Sequence, residues 1–301
     1  MSDTKQIIEQ ANKLGILVPA FNVPYLPMAE PIIRAVKDTG SFALLEVARV
    51  EWEKFGAESY QTAAEEYRKH DNGGHTRLHL DHVPVIDEDQ KRVDYRSIIE
   101  GAIGAGYESV MIDGSRLDLE ENINTTREMA DLAHAKDVCI EAELGAVLGH
   151  EAGPPPPYEE LFSTGKGFTK VDEAKRFVEE SKCDFLSVAI GNIHGAVSES
   201  LRGQKKPEAR LKIDHLQKLH EVTGIPLVLH GGSGVQQNYV LEASKHGITK
   251  VNVGTEIRQA YEAALENDDS TEKAKEAVYH RVCWMIRDYY KIEGTFGKLF
   301  G

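Results

Sequence analysis

Arg77-Leu-His-Leu-Asp-His82, Phe185-Leu-Ser-Val-Ala-Ile-Gly-Asn-Ile-His194-Gly195 and Pro226-Leu-Val-Leu-His230-Gly-Gly-Ser-Gly234 are three apolar, strand-like runs, and each breaks off into a histidine beside small or acidic residues. A buried strand stops where its backbone reaches the rim of a sheet, so side chains just past several strand ends converge on one point while remaining far apart in sequence. His82, His194 and His230 are therefore candidate metal ligands. Three imidazoles with an open fourth position form the ligand set of a catalytic zinc rather than a structural one. Any one of the three alone reads as a hydrogen-bonded loop residue. Three at equivalent strand ends, one beside an aspartate and one opening a glycine-rich turn, favour a shared metal.

Working outward, the chain yields eight short β-branched or apolar runs, near 17–21, 43–47, 77–80, 109–112, 139–143, 185–189, 227–230 and 250–253. Amphipathic helical stretches separate them, at 28–37, 122–136 and 171–181 among others, the last following Thr169 as a residue suited to the N-cap. Alternation of this kind predicts a parallel (β/α)8 TIM barrel, and 301 residues fit one such domain spanning 1–301, with extra C-terminal helices near 256–265 and 272–290. Those last helices are expected to pack between subunits. Gly40, Gly106, Gly224 and Gly247 fall near helix ends, where a residue able to take positive φ is wanted. Two segments break the rhythm: 83–94, read as an excursion over the barrel mouth, and 145–170, read as an active-site loop or a plain spacer.

Composition bounds the function. A hydrophobic share of 41% and a charged share of 28% describe a chain with ample core. The formal charge of −14 argues against nucleic acid or an anionic membrane as partner, yet permits a small anionic substrate in a locally positive pocket. The N-terminus lacks a basic-then-apolar signal and no run approaches a membrane span, so the expected location is cytoplasmic. Cys139, Cys183 and Cys283 are widely spaced and read as reduced thiols.

Several rim residues carry chemistry. Asp81, next to His82, is placed to move a proton to or from a substrate hydroxyl. His79, two residues earlier on the same face, reads as structural. Glu141 and Glu143 alternate along one strand, so both point into the barrel or both out, and inward carboxylates require cations or donors. Glu143, nearer the end, is the candidate for assisting the metal, whereas Glu141 reads as part of a structural network. Asp113 serves either a turn or the site. The turn after His230, with Ser233, and the turn Val251-Asn-Val-Gly-Thr255 follow the last two strands, where barrels frequently cradle phosphate. Gly195 leaves room for close backbone approach to a ligand.

Nearly end to end, these motifs resemble the class II, metal-dependent ketose-bisphosphate aldolases of the fructose and tagatose type. The resemblance is carried by Pro-Ala-Phe-Asn22, His79-Leu-Asp-His82, Ser-Val-Met-Ile-Asp113-Gly-Ser, Glu141-Ala-Glu-Leu-Gly145, Ala-Ile-Gly191-Asn-Ile-His-Gly195, the run ending in Gly234, and Lys-Val-Asn252-Val-Gly-Thr-Glu-Ile-Arg258. It implies Zn2+, replaceable by Co2+ or Mn2+, on His82, His194 and His230, with a monovalent cation nearby and Asp81 as acid/base at the C4 hydroxyl of a ketose. Glu143 is implied to assist the metal or its moving histidine. Substrate contacts are implied at Asn22, Gly195, Gly231, Ser233, Asn252, Gly254, Thr255 and Arg258, the last reaching the far phosphate. The implied activity is reversible cleavage of a phosphorylated ketose to dihydroxyacetone phosphate and an aldehyde, by a cytoplasmic homodimer or homotetramer. Departures from the family pattern include Ala196-Val-Ser-Glu199 where a lysine is usual, Gly254 where an aspartate is frequent, and Glu46-Val-Ala48 where a serine is common. These direct attention to a modified or non-bisphosphorylated ketose as the alternative substrate, with a noncatalytic accessory subunit as the alternative class.

Overall fold

The computed structural model describes residues 3–145, 158–192 and 209–300. Eight parallel strands close into a barrel in sequence order: β1 (Val18–Asn22), β2 (Ala43–Ala48), β3 (Thr76–Pro84), β4 (Ser109–Asp113), β5 (Cys139–Leu144), β6 (Phe185–Val188), β7 (Leu227–Leu229) and β8 (Ile248–Val253). Closure comes from β1 pairing with β8, with Val18 opposite Lys250 and Ala20 opposite Asn252. Among the described residues the helices are α1 (Asp3–Leu14), α2 (Ala29–Asp38), α3 (Arg49–Lys54), α4 (Tyr60–Arg68), α5 (Tyr95–Gly104), α6 (Leu119–His134), α7 (Tyr158–Thr164), α8 (Val171–Ser181), α9 (Ile213–Thr223), α10 (Gln237–Ala243), α11 (Thr255–Asp268), α12 (Thr271–Trp284) and α13 (Phe296–Leu299). The expected (β/α)8 architecture is therefore present, and none of these helices is long and apolar enough to cross a membrane.

Period-two alternation separates two apolar layers. Leu45, Val47, Leu78, Leu80, Val110, Ile112, Ile140, Leu186, Leu227 and Val251 face outward and pack beneath the helices. Val18, Ala20, Leu44, Cys139, Phe185 and Val228 lie in a second cluster with Ile7, Ile8 and Ala11 of α1, so that α1 covers the N-terminal mouth. Further up each strand the same inward face turns polar: Glu46, His79, Glu141 and Lys250 are all at most 1% exposed. A barrel interior that is apolar below and charged above directs the chemistry to the C-terminal rim.

Three expectations change. Thr169 does not cap α8, whose N-cap is Lys170. Its hydroxyl donates to Leu144 O at 2.5 Å and accepts from Ala189 N at 2.9 Å, pinning the ends of β5 and β6 together. Segment 83–94 begins as strand, since β3 runs through Pro84. A tight reversal follows, with Asp87 Oδ1 accepting from the amides of Asp89 and Lys91. The C-terminal stretch 272–290 is not one helix: α12 ends at Trp284 and continues as a π-helical turn, Met285–Tyr289. α12 packs on α2 of its own chain, with Lys275 Nζ 3.2 Å from Glu30 Oε2 and Arg34 stacked over Tyr279. Residues 146–157 of the expected loop lie outside the described residues, and α7 follows them.

At the lower end, Asp184 is buried and collects Lys5 Nζ at 2.6 Å, His134 Nε2 at 2.9 Å and the Ile140 amide at 2.8 Å. One carboxylate thus joins α1, α6 and β5 just before β6 begins. Asp184→Ala should cost about 2–3 kcal/mol, the range for losing bonds to a charged group, and lower the melting temperature by several degrees. The kcat should stay within about twofold, because the rim is at the other end of the barrel. Loss of turnover in a stably folded variant would contradict this division of labour.

Candidate active site

Asp81 and His82 reach the same cavity because β3 is irregular there. The register with β4 shifts between Leu80 and Val83, and His82 has φ +34°. A bulge re-aims a side chain that strict alternation would send to the opposite face. From β7, His230 arrives fully buried. His82 Nε2 and His230 Nδ1 are 2.6 Å apart. The remaining nitrogens are occupied: His82 Nδ1 lies 3.2 Å from Asp113 Oδ2, and His230 Nε2 lies 2.7 Å from Glu141 Oε1. Carboxylates on the outer nitrogens set the tautomers and turn the other two nitrogens toward one point. Asp81 belongs to the same group, with ligand atoms of Asp81, His82 and His230 all within 4.8 Å of one another.

This arrangement fits a divalent cation. Two imidazole nitrogens at hydrogen-bond distance need a proton between them, and His82 holds it: although burial disfavours the imidazolium, Asp81 and the bond to Asp113 push His82 up to about 10. A cation would replace that proton. Asp113 does two jobs, since its Oδ1 accepts from the Ser115 amide at 3.0 Å and hydroxyl at 2.6 Å while Oδ2 faces His82. Glu143 approaches with Oε2 3.8 Å from His230 Nδ1 and accepts from Ser187 Oγ at 3.2 Å. Its carboxyl is pushed up to about 8 by burial and the nearby Asp113. A second grouping of potential donors joins His82, Asp113 and Glu143. His194 and Gly195 lie outside the described residues; the strand leading to them ends beside the site, where Asn192 Nδ2 donates to His230 O at 3.0 Å.

Asp81 is held on both oxygens. Asn22 Nδ2 donates to Oδ2 at 3.1 Å and Asn252 Nδ2 to Oδ1 at 2.9 Å. Burial alone would raise this carboxyl, but His82, His230 and Lys250 outweigh it and hold Asp81 below the usual range. Gly254 packs against this support: a Cβ there would lie 3.1 Å from Asn22 Oδ1, so any side chain would press on the residue that holds Asp81. Gly254 is also the N-cap of α11, and Thr255 is its first residue. The loop after β7 is locked to it through Gly232 N, which donates to Asn252 O at 3.2 Å. A Cβ on Gly232 would come within 2.5 Å of Val251. Gly231 and Ser233 flank that glycine, beside the N-terminus of α11. Arg258, one turn into α11, is buried and bonds Glu262 at 2.6 Å; Glu262 in turn accepts from Tyr25 OH at 2.7 Å.

Two neighbours of the site escaped the sequence reading. Glu51, in the first turn of α3, folds back so that Oε2 accepts the Ala48 amide at 2.8 Å. Burial, together with the negative charge of Asp81, pushes it up to about 8. No periodic signal marks such a residue, because its placement depends on a short helix folding over the rim. Lys250 is the other, and its position two residues before Asn252 on one strand was a usable signal for an inward side chain.

A parallel barrel that gathers imidazoles and carboxylates at its C-terminal rim is the scaffold of a metal-assisted (β/α)8 enzyme. The sequence model of the class II fructose-bisphosphate aldolases matches residues 2–294, and the chain belongs to that family. It is 34% identical over 285 residues to a fructose-bisphosphate aldolase of Streptococcus pyogenes, covering 91% of this chain and 86% of the relative. A fructose-bisphosphate aldolase of Streptococcus pneumoniae is 33% identical over 287 residues, covering 92% and 86%. Among solved structures, the YdjI aldolase of Escherichia coli K12 superposes with a TM-score of 0.76 at 25% identity, over 97% of this chain and 98% of that one. The protein is thus an aldolase, a lyase of a metal-dependent class that acts on phosphorylated sugars.

Because His82 carries a proton below about pH 10 in the metal-free protein, metal uptake must expel it. Affinity for Zn2+, measured by chelator competition, should rise about tenfold per pH unit between about pH 6 and 9. An affinity independent of pH would mean that His82 is not a ligand.

Proposed function

We propose that the protein cleaves a phosphorylated ketose reversibly to dihydroxyacetone phosphate and an aldehyde, with Zn2+ held by His82, His194 and His230. The observation that carries the reading is the convergence of His82 and His230, 2.6 Å apart, beside an Asp81 whose two oxygens are both braced by amides. A divalent cation bound there supplies a Lewis acid for the substrate carbonyl. Co2+ or Mn2+ could replace it, and a monovalent cation is proposed nearby. Asp81, ionised and held still, accepts the proton of the C4 hydroxyl. The C3–C4 bond then breaks, C4 leaves as the aldehyde carbonyl, and the electron pair stays with the dihydroxyacetone phosphate half. In the reverse direction Asp81 returns the proton. Glu143, pushed up to about 8, is suited to hold a proton at neutral pH and to assist the metal or its moving histidine. Gly195, Gly231, Ser233, Asn252 and Thr255 are assigned to the phosphate cradle, and Asn22 and Gly254 to further substrate contacts. Residues 1–301 form one domain in this reading, working as a cytoplasmic homodimer or homotetramer.

A ketose phosphorylated at one end is a second reading, and a particular feature favours it. The flank near β1 and β2 carries the buried carboxyl of Glu51, while Arg258 is already paired with Glu262 and Arg49 with Glu53 at 2.6 Å. Among the described residues, this side offers little uncompensated positive charge to a second phosphate.

Chelation should abolish cleavage and Zn2+ should restore it; full turnover by stripped protein, or a borohydride-trapped lysine adduct, would rule the mechanism out. Asp81→Asn, loaded with metal, should lose about 10²–10⁴-fold in kcat with little change in KM, since the amide keeps the shape and loses the proton acceptor. A loss below tenfold would make Asp81 structural.

Specificity is tested by kcat/KM for fructose 1,6-bisphosphate, tagatose 1,6-bisphosphate and fructose 1-phosphate at equal metal loading. With no carboxylate at 254 to read a hydroxyl, the ratio between the two epimers should stay below about a hundredfold, or about 2.7 kcal/mol. A stronger fructose preference would contradict the role given to Gly254, and a strong preference for bisphosphates would remove the second reading.

A further inference from the structure

Lys250 is 1% exposed in the middle of the barrel, beneath the rim. Its Nζ lies 2.6 Å from Asn252 Oδ1, 2.9 Å from Glu141 Oε2 and 3.2 Å from Glu46 Oε2. The contact with Asn252 is a hydrogen bond, and those with Glu141 and Glu46 are ion pairs. Two of the contacts lead upward by one step. Asn252 passes on to Asp81 through Nδ2, and Glu141 passes on to His230 through Oε1.

We infer that Lys250 is the positioning residue of this site: by donating to Asn252 and pairing with Glu141, it orients the amide of the proton-transfer arm and holds in place the carboxylate of the metal-binding arm. An ammonium offers hydrogens and no lone pair. The Asn252 amide must therefore turn its oxygen to Lys250 and its NH2 to Asp81, so that Asp81 meets a donor and never a repelling carbonyl. On the other arm Glu141 Oε2 is ion-paired with Lys250 at 2.9 Å while Oε1 faces His230 Nε2 at 2.7 Å, which leaves His230 Nδ1 facing His82. Without the ammonium, the Asn252 oxygen loses its donor and the Glu141 carboxylate loses the cation that holds it against His230.

Lys250 is no nucleophile in this arrangement. Although burial opposes charge, Glu141 and Glu46 raise the amine well above its ordinary value, so no free electron pair is available for a carbonyl. A lysine that only filled space could not have this effect on two arms that diverge toward different strands.

The inference rests on the roles proposed above for Asp81 and the histidines, and the test separates the two. Lys250→Met is expected to lower kcat by about a hundredfold on metal-saturated enzyme, with KM within about threefold, and to weaken Zn2+ binding to the stripped protein by about 10–100-fold. The Zn2+ affinity is read by competition with a chromophoric chelator and needs no turnover, so it reports even if no sugar phosphate is cleaved by the wild type. That last result would sink the aldolase reading and leave this one standing. Double-mutant cycles decide the mechanism. Lys250→Met should be strongly non-additive with Asn252→Ala in kcat, and with Glu141→Gln in Zn2+ affinity. Additive losses in both cycles, or a folded Lys250→Met variant with wild-type kcat and Zn2+ affinity, would overturn the inference. If Lys250→Met does not fold, the two arms are read from the single variants. Asn252→Ala should then lose kcat and keep Zn2+ affinity, whereas Glu141→Gln should lose Zn2+ affinity; any other pattern overturns the assignment.

Discussion

Closure of the parallel sheet by the pairing of β1 with β8 is the constraint on which everything else depends. With all strands parallel, every C-terminal end lies on one rim, and residues 171 positions apart, Asp81 and Asn252, become hydrogen-bonded neighbours. Closure also gives the sheet an inside. Alternate side chains of each strand are forced into a narrow interior, where a polar group survives only if another strand supplies its partner. Glu46, Glu141, His79 and Lys250 come from four strands and are acceptable only together.

The rim carries this logic one layer up, where burial and charge divide similar groups by environment. Asp81 and Asp113 are held below the ordinary carboxylate range, both with His82 among the causes. Glu51 and Glu143, buried next to those same aspartates, are pushed up to about 8. Four carboxyl groups at one rim thus separate into two ionised and two protonated at neutral pH, which equips the site with both acceptors and donors of protons. His79 falls the other way, to about 3, because burial and the neighbouring Lys250 oppose an imidazolium. It stays neutral and bonds Ser109 Oγ at 2.8 Å.

Glycines make the second half of the site by bringing backbones together. Gly232 lies where any side chain would collide with β8, so the turn after β7 sits against the end of β8 just before α11. Gly254 works through proximity to Asn22. A side chain at 254 would press on the amide that braces Asp81, so position 254 bears directly on how that carboxylate is held.

The periodicity of eight apolar runs was enough to determine the barrel, because strand and helix periods depend only on local sequence and nothing in the chain contradicts them. The same local logic made the rim legible: a histidine or aspartate at the end of a buried run has nowhere to go but the mouth, and His82, His230, Asp81 and Asn252 meet there. What sequence could not decide was partnership. Whether Glu141 faces a cation, which nitrogen of His230 is left free, and whether Glu51 folds toward Asp81 are each settled by distances between strands that share no local signal. Lys250 shows the division most clearly. Its residue type and its place two before Asn252 stand in the sequence, but only barrel closure carries its ammonium to Glu141 and, through that contact, to a histidine twenty residues upstream on β7.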